Sequence, residues 1–231
     1  MIALRSKFTA AGLACLMVLS ACNNRNEGLI ARSFPLVINE VFGGDPPPTK
    51  KSTITRARLN QVPFATISIA KADDEERTSF IVAVANNNGY LTYQEPAGRS
   101  VVLFGNLLTS TNGLGLDLAA VKHQKDDPAA VKTPVVDWPG VVVRNYQLSL
   151  GSRPNYEITV TCTMQILARE RIEVVELNFD VTRVQETCRN TRREFSNTYW
   201  VADDGQIWKS IQWAGPELGQ LVIQTIRPFG G

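Results

Sequence analysis

Tyr156-Glu157-Ile158-Thr159-Val160-Thr161-Cys162-Thr163-Met164-Gln165-Ile166-Leu167 is the stretch that decides the fold. Its period is two. Tyr156, Ile158, Val160, Cys162, Met164 and Ile166 line one face, and Glu157, Thr159, Thr161, Thr163 and Gln165 line the other, which is the pattern of a strand with one face in a core. Just downstream, Val175, Leu177, Phe179 and Val181 alternate with Glu176, Asn178, Asp180 and Thr182, so a second long strand is expected. A tight hairpin turning near Arg169 would set Cys162 opposite a residue near position 176 rather than near Cys188. Pairing the two cysteines then needs a bulge, a third strand or a non-sequential partner, and the pattern does not choose among these.

The same period extends outward. Residues 64–70, 80–85, 90–94 and 101–104 are short, β-branched and aromatic, and turn clusters such as Asn86-Asn87-Asn88-Gly89 and Pro96-Ala97-Gly98 separate them. Near the end, residues 195–202 and 206–213 flank Asp203-Asp204-Gly205, where Asp-Gly supplies the positive φ angles of a tight turn. A last strand over 221–226 precedes Pro228. One short helix is expected over 52–61, with Ser52 as its cap and Pro63 beyond its end. The segment from Lys122 to Pro134, with Asp126-Asp127-Pro128, reads as an exposed loop carrying the sole histidine, His123. No repeat and no long internal linker divides the chain. The fold class is therefore mainly β: one large, mostly antiparallel sheet curled into an open barrel or a sandwich, with one or two short helices.

The N-terminus reads differently. Arg5 and Lys7 precede an apolar run over residues 8–19, too short to span a bilayer but suited to the core of a secretory signal. Leu19-Ser20-Ala21-Cys22 follows and resembles the lipobox of bacterial lipoproteins. That resemblance implies cleavage before Cys22 and lipid attachment to it, palmitate included. The expected organisation is a signal peptide over 1–21, a lipidated tether over 22–35 and a single β-rich domain over 36–231. Asn23 and Asn24 follow the cysteine in place of the inner-membrane retention Asp, which favours the periplasmic face of the outer membrane. Three acyl chains exceed the two anchoring signals that stable attachment needs.

Composition then separates into two parts. The 231 residues hold 24 Lys plus Arg, 22 Asp plus Glu, one His and four Cys, with a formal charge of +2. Removing Arg5 and Lys7 with the signal leaves 22 basic against 22 acidic residues, a neutral mature chain. No basic surplus suggests a nucleic-acid partner. Cys15 leaves with the signal and Cys22 takes lipid, so Cys162 and Cys188 remain, most simply as one disulfide worth about 3–4 kcal/mol through loop closure. Two unpaired core thiols are the alternative.

Several local patterns occur in a familiar order. Val62-Pro63-Phe64-Ala65 is followed by Leu108-Thr109-Ser110-Thr111-Asn112-Gly113-Leu114 leading to Asp117-Leu118. Phe195-Ser196-Asn197-Thr198-Tyr199-Trp200-Val201 then runs through Gly205 to Ile207-Trp208-Lys209-Ser210-Ile211-Gln212-Trp213 and Pro216. Together with the lipobox these resemble the YjbF/GfcB family of lipoproteins over roughly residues 50–228. The resemblance implies a large antiparallel sheet that closes on itself incompletely, a role in exopolysaccharide or group 4 capsule production, partners among envelope polysaccharide-export proteins, and no catalytic residues to carry over.

Candidate chemistry is sparse. Tyr199, Trp200, Trp208 and Trp213 offer flat faces on which sugars stack, but large aromatics are also the main filling of β cores. Regular alternation places Trp208 with Ser210 and Gln212 on one face, and Ile207, Lys209, Ile211 and Trp213 on the other. Asp203 and Asp204 fit a turn better than a glycosidase pair, Gly113-Leu114-Gly115-Leu116-Asp117 lacks the remainder of any nucleotide fingerprint, and Asp73-Asp74-Glu75-Glu76 reads as a solvated turn. No cofactor and no metal site is expected. The sequence thus points to a non-enzymatic outer-membrane lipoprotein that assists polysaccharide assembly or export and contacts glycan directly or through protein partners. The alternatives are a periplasmic enzyme acting on glycan through carboxylates, or a structural lipoprotein of another envelope machine.

Overall fold

The computed structural model describes residues 54–116, 118–151 and 153–230. Cys22, the tether, Ser52 and Asp117 lie outside the described residues. Twelve strands make up most of the described chain. The first six are β1 (Thr66–Lys71), β2 (Asp74–Asn87), β3 (Tyr90–Gln94), β4 (Ser100–Phe104), β5 (Leu107–Asn112) and β6 (Leu118–Lys122). Then come β7 (Val141–Leu150), β8 (Arg153–Val174), β9 (Leu177–Arg189), β10 (Glu194–Val201), β11 (Ile207–Gly215) and β12 (Gly219–Arg227).

All belong to one antiparallel sheet ordered β5-β4-β3-β2-β1-β12-β11-β10-β9-β8-β7-β6. Sequence neighbours pair as hairpins, and the first strand pairs with the last, so the meander is joined at its two ends and left open in its middle. The edges are β5 and β6, which follow one another in the chain. They are linked by a side chain: Leu118 N–H donates to Thr111 Oγ1 at 2.9 Å. The sheet is a nearly closed barrel, the open-barrel form of the expected architecture.

Twelve strands enclose a lumen wider than aliphatic side chains alone would fill. Residues 127–130 of the β6–β7 connection turn into that volume, which corrects the reading of the whole segment as an exposed loop, while residues 124–126 and 131–132 are exposed as expected. Asp127 is 0% exposed, and Ala129 and Ala130 are buried with it. Asn106 N–H donates to Ala129 O at 2.8 Å, and a Cβ on Gly105 would lie 2.2 Å from Ala130 O. On Gly205 a Cβ would lie 2.5 Å from the Thr133 carbonyl carbon, so glycine at both turns is required by the close passage of this connection as well as by positive φ. His123 is half-buried against Phe104, with ring centroids 4.9 Å apart.

In an up-and-down barrel successive turns alternate between the two ends. The β4–β5 and β10–β11 turns share the end closed by residues 123–140. The β1–β2, β3–β4, β5–β6 and β11–β12 turns gather at the other. One end is plugged and the other carries a cleft.

The decisive stretch is longer than its pattern implied. β8 runs unbroken for 22 residues and the hairpin turns at Val175-Glu176, not near Arg169. Cys162 and Cys188 then face each other directly across β8 and β9 and are joined in a disulfide, Cα–Cα 3.9 Å. A one-residue bulge at Leu167 interrupts the register, and the core face ends there: Val160 and Cys162 are buried, whereas Ile166 is 60% exposed. β7 accompanies β8 only as far as Thr163 and β10 accompanies β9 as far as Thr182, so the hairpin beyond the Arg169–Thr182 pair projects past the plugged end as a two-stranded ribbon.

A four-residue helix, α1 (Arg56–Leu59), holds the tip of the ribbon. Its cap is Thr55, whose Oγ1 accepts from Arg58 N–H, in place of the expected Ser52 and over a shorter span. The Arg56 guanidinium donates to Val174 O, Val175 O and Ile226 O at 2.9, 3.2 and 3.0 Å, and its backbone N–H donates to Glu176 Oε2 at 2.9 Å. A second apolar cluster lies beneath: Leu59, Val174 and Ile226, with Phe80, Phe179 and Trp208 packed against them.

Candidate functional site

The polar residues of the C-terminal motif meet in the barrel interior. Arg144 on β7 is 0% exposed and faces two equally buried carboxylates. Its Nε and Nη2 donate to the two oxygens of Asp127 at 2.6 and 2.8 Å, and Nη1 donates to Glu186 Oε2 at 2.6 Å. Asn197 Nδ2 and Tyr199 OH donate to that same Glu186 oxygen at 2.6 and 3.1 Å. Burial works against the Arg144 charge, yet the adjacent Glu186 and the hydrogen bonds to Asp127 outweigh it and hold the guanidinium pKa well above its ordinary value. Burial, and then the Glu186 charge, push the Tyr199 phenol well up.

This network pins the sheet. Asn197 Oδ1 accepts from Trp213 N–H at 2.7 Å, taking a donor that a regular β10–β11 ladder would use, and that ladder stops at the Thr198–Ile211 pair. Gln212 reaches across the barrel: its Oε1 accepts from Leu108 N–H and its Nε2 donates to Asn106 O and Ser210 Oγ. Without Gln212 these buried backbone groups at the start of β5 would lose their partner. A Glu186 carboxylate oxygen also lies within 4.8 Å of the sulfurs of Cys162 and Cys188. Joined in a disulfide, those sulfurs offer no thiolate to a metal ion.

The four aromatics that could stack sugars or fill the core do not share a groove. Tyr199 is 0% exposed within the network. Trp213 is 7% exposed, stacked on Phe195 with centroids 4.1 Å apart and edge-on to Tyr146. Trp200 lies on the outer face, with Nε1 donating to Glu170 and Lys209 Nζ 5.1 Å above its ring. Trp208 is the extra residue of a bulge and stacks on Phe179 in the second cluster, centroids 3.8 Å apart. Strict alternation therefore misassigned the faces: Ser210 and Gln212 join Trp213 inside, and Trp208 lies apart from all three. Asp203 and Asp204 are turn residues bound to Arg169 and Lys132.

A cleft of about 560 Å³ lies at the open end. Its floor is apolar, formed by Ile69, Ile81, Val101, Leu218 and Leu221. Its rim carries Lys71, Arg77 and Arg99 against Asp73, Asp74 and Glu95. Arg99 and Glu95 form a two-pronged pair, Nη2 to Oε2 at 2.9 Å, and the bond to Glu95 raises the Arg99 pKa. Arg77 Nε lies 3.3 Å from Asp74 Oδ2. The acidic run read as a solvated turn thus contributes two of its members to this rim. Asp74 to Arg77 belong to β2, which starts six residues before the apolar pattern over 80–85 that predicts Ile81 and Val82 as its core. The sequence signal was the coincidence of acidic and basic residues in separate turns, which only the sheet order brings to one end.

In class, this is a single-sheet antiparallel barrel, plugged at one end, with a mixed-charge cleft at the other. The chain belongs to the family described as group 4 capsule polysaccharide lipoprotein GfcB, YjbF, which it matches over residues 32–226. Among solved structures it is similar to the lipoprotein YmcC of Escherichia coli K12, with a TM-score of 0.64, 18% identity, and coverage of 77% of this chain and 90% of that one. An exported protein of Bacteroides fragilis with a YmcC-like fold aligns at a TM-score of 0.35 and 11% identity, over 71% of this chain and 93% of that one. No sequence among the curated proteins matches the chain.

Proposed function

We propose that the chain is an outer-membrane lipoprotein that assists assembly or export of a capsule-type extracellular polysaccharide without catalysing a reaction. Residues 1–21 are its signal, Cys22 carries the lipid on the periplasmic face, residues 22–35 are the tether and residues 36–231 the working domain. The observation that carries this reading is the family match over residues 32–226. A binding role fits the cleft better than carboxylate catalysis does: Glu95 and Asp74 are both engaged by guanidinium groups, whereas glycoside hydrolysis needs one carboxyl to protonate a leaving group and another to act on the sugar.

The test is deletion with complementation. Loss of the gene is expected to lower surface polysaccharide, the intact gene to restore it, and Cys22→Ala to leave an unprocessed or detached protein that does not. Normal surface polysaccharide in the deletion strain overturns the reading. Co-purification with subunits of another envelope machine, with polysaccharide unaffected, favours the structural alternative.

A further inference from the structure

We propose that the cleft at the open end of the barrel is a saccharide-binding site, taking two or three sugar residues of a neutral chain; this rests on the polysaccharide role proposed above. Among the described residues, the plug and the Arg144 network occupy the barrel interior, and Tyr199 and Trp213 are taken up in its packing. The cleft volume, about 560 Å³, falls within the range of small-molecule sites and exceeds what one sugar ring fills.

Charge narrows the class of ligand. Three cationic and three anionic side chains line the cleft, so its formal charge is zero and no field favours a phosphate, a polyanion or an acidic headgroup. The rim instead presents donors and acceptors side by side, Arg99 beside Glu95 and Lys71 near Asp73. A hydroxyl both donates and accepts, and vicinal hydroxyls bridge such a donor–acceptor pair, each closing a charge-assisted hydrogen bond. The floor supplies the complement, since a pyranose has an apolar C–H face that Ile81 and Leu221 can cover. A plain hydrocarbon ligand would desolvate the rim charges and offer them no hydrogen bond in return.

The position also suits a long chain. The cleft opens between turns at the barrel rim, and an oligosaccharide bound there can continue past both sides, whereas an enclosed lumen would accept only a chain end.

The probe is a set of oligosaccharides of two to four residues, released by partial hydrolysis of the extracellular polysaccharide made by the same cells. Binding is read by saturation-transfer NMR and calorimetry on the full lipidated protein in a detergent free of sugar headgroups. Ser79→Trp fills the cleft, Asp73→Asn removes an exposed rim charge and replaces one of its two acceptor oxygens by a donor, and Ser79→Ala controls for the loss of the hydroxyl. Wild type and Ser79→Ala are expected to bind, and Asp73→Asn less tightly. Ser79→Trp, checked to melt like wild type, is expected to bind at least about tenfold more weakly, roughly 1.4 kcal/mol. Equal binding by Ser79→Trp, or no binding by wild type, overturns the proposal. In cells the two readings separate: if Ser79→Trp restores polysaccharide to the deletion strain as fully as wild type, the cleft fails while the polysaccharide role stands. If deletion has no effect, the role itself fails.

Discussion

The β2–β3 and β8–β9 hairpins close with the same kind of backbone turn and almost nothing else in common. Asn88-Gly89 has φ of 50° and 90°, and Val175-Glu176 has φ of 44° and 65°. The first pair is what a two-residue turn selects, because Asn and Gly tolerate the left-handed region. The second is a β-branched residue and a Glu held there against local preference, at about 1–2 kcal/mol for a residue with a Cβ. The first turn is made by its own residues and caps a hairpin seated in the barrel. The second is made by tertiary contacts: Arg56 gathers three carbonyls around it, and the ribbon rests on the cluster of Trp208, Phe179 and Ile226. The barrel is therefore locally specified, and the ribbon borrows its order from α1, β11 and β12.

The comparison predicts that damage inside the barrel is global. Arg144→Ala leaves Asp127 and Glu186 buried without their cation and should cost about 3–5 kcal/mol, the usual penalty for breaking a buried pair. Chemical denaturation should show one transition shifted as a whole. A loss below about 1 kcal/mol would mean the network is wetter than its burial indicates.

Damage to the ribbon should instead be local. Trp208→Ala removes the ring stacked on Phe179 and should cost about 3 kcal/mol, the lower part of the range for such truncations because Trp208 is only half-buried. Hydrogen exchange should speed over residues 168–181 while the strands around Arg144 keep their protection. Uniform loss of protection in both regions would mean that ribbon and barrel open as one unit.

These two regions were also unequally legible in the sequence. The barrel strands β1 to β4 and the β10–β11 hairpin were readable because period-two runs end in Asn-Gly, Pro-Ala-Gly or Asp-Asp-Gly. The β8–β9 turn was not, since Val175-Glu176 carries no turn signal, and placing the turn near Arg169 made the Cys162–Cys188 pairing look irregular when it is a direct cross-strand pair. β5, β6 and β7 were missed as strands: β5 and β6 are short and border a plug with no period of its own, while β7 sits next to that plug and buries Arg144 in the position of an apolar residue. The cleft was illegible for a different reason. Lys71, Asp73, Glu95 and Arg99 stand in two separate turns, and nothing in either announces the other.

Tyrosines sharpen the barrel side. Burial pushes the Tyr93 phenol up to about 12, and the Tyr146 and Tyr199 phenols upward as well. The folded state then holds these protons at pH values where the unfolded chain has released them. Their contribution is intact below the unfolded value near 10 and falls as pH rises toward 12. For Tyr93 alone the two-unit span corresponds to roughly 2–3 kcal/mol. Phenolate absorbance should lag the titration of free tyrosine and then rise together with the loss of near-UV dichroism. Early, reversible ionisation of all tyrosines would contradict a sealed interior.

The smallest effect tests the turns themselves. Val175→Asn replaces a strained residue by one that accepts the left-handed region, and the gain of about 1 kcal/mol is partly offset by the packing that Val175 gives to the second cluster. The variant should therefore be stabilised by less than ~1 kcal/mol. The reciprocal change, Gly89→Val, has no guanidinium clamp to hold it, and its Cβ would lie 2.9 Å from the Phe104 ring, so it should destabilise. Opposite signs in the two melting curves would establish that one turn is imposed and the other intrinsic. Destabilisation by both would show that Val175 is needed for packing more than it is strained, and the ribbon would then count as a built part of the core.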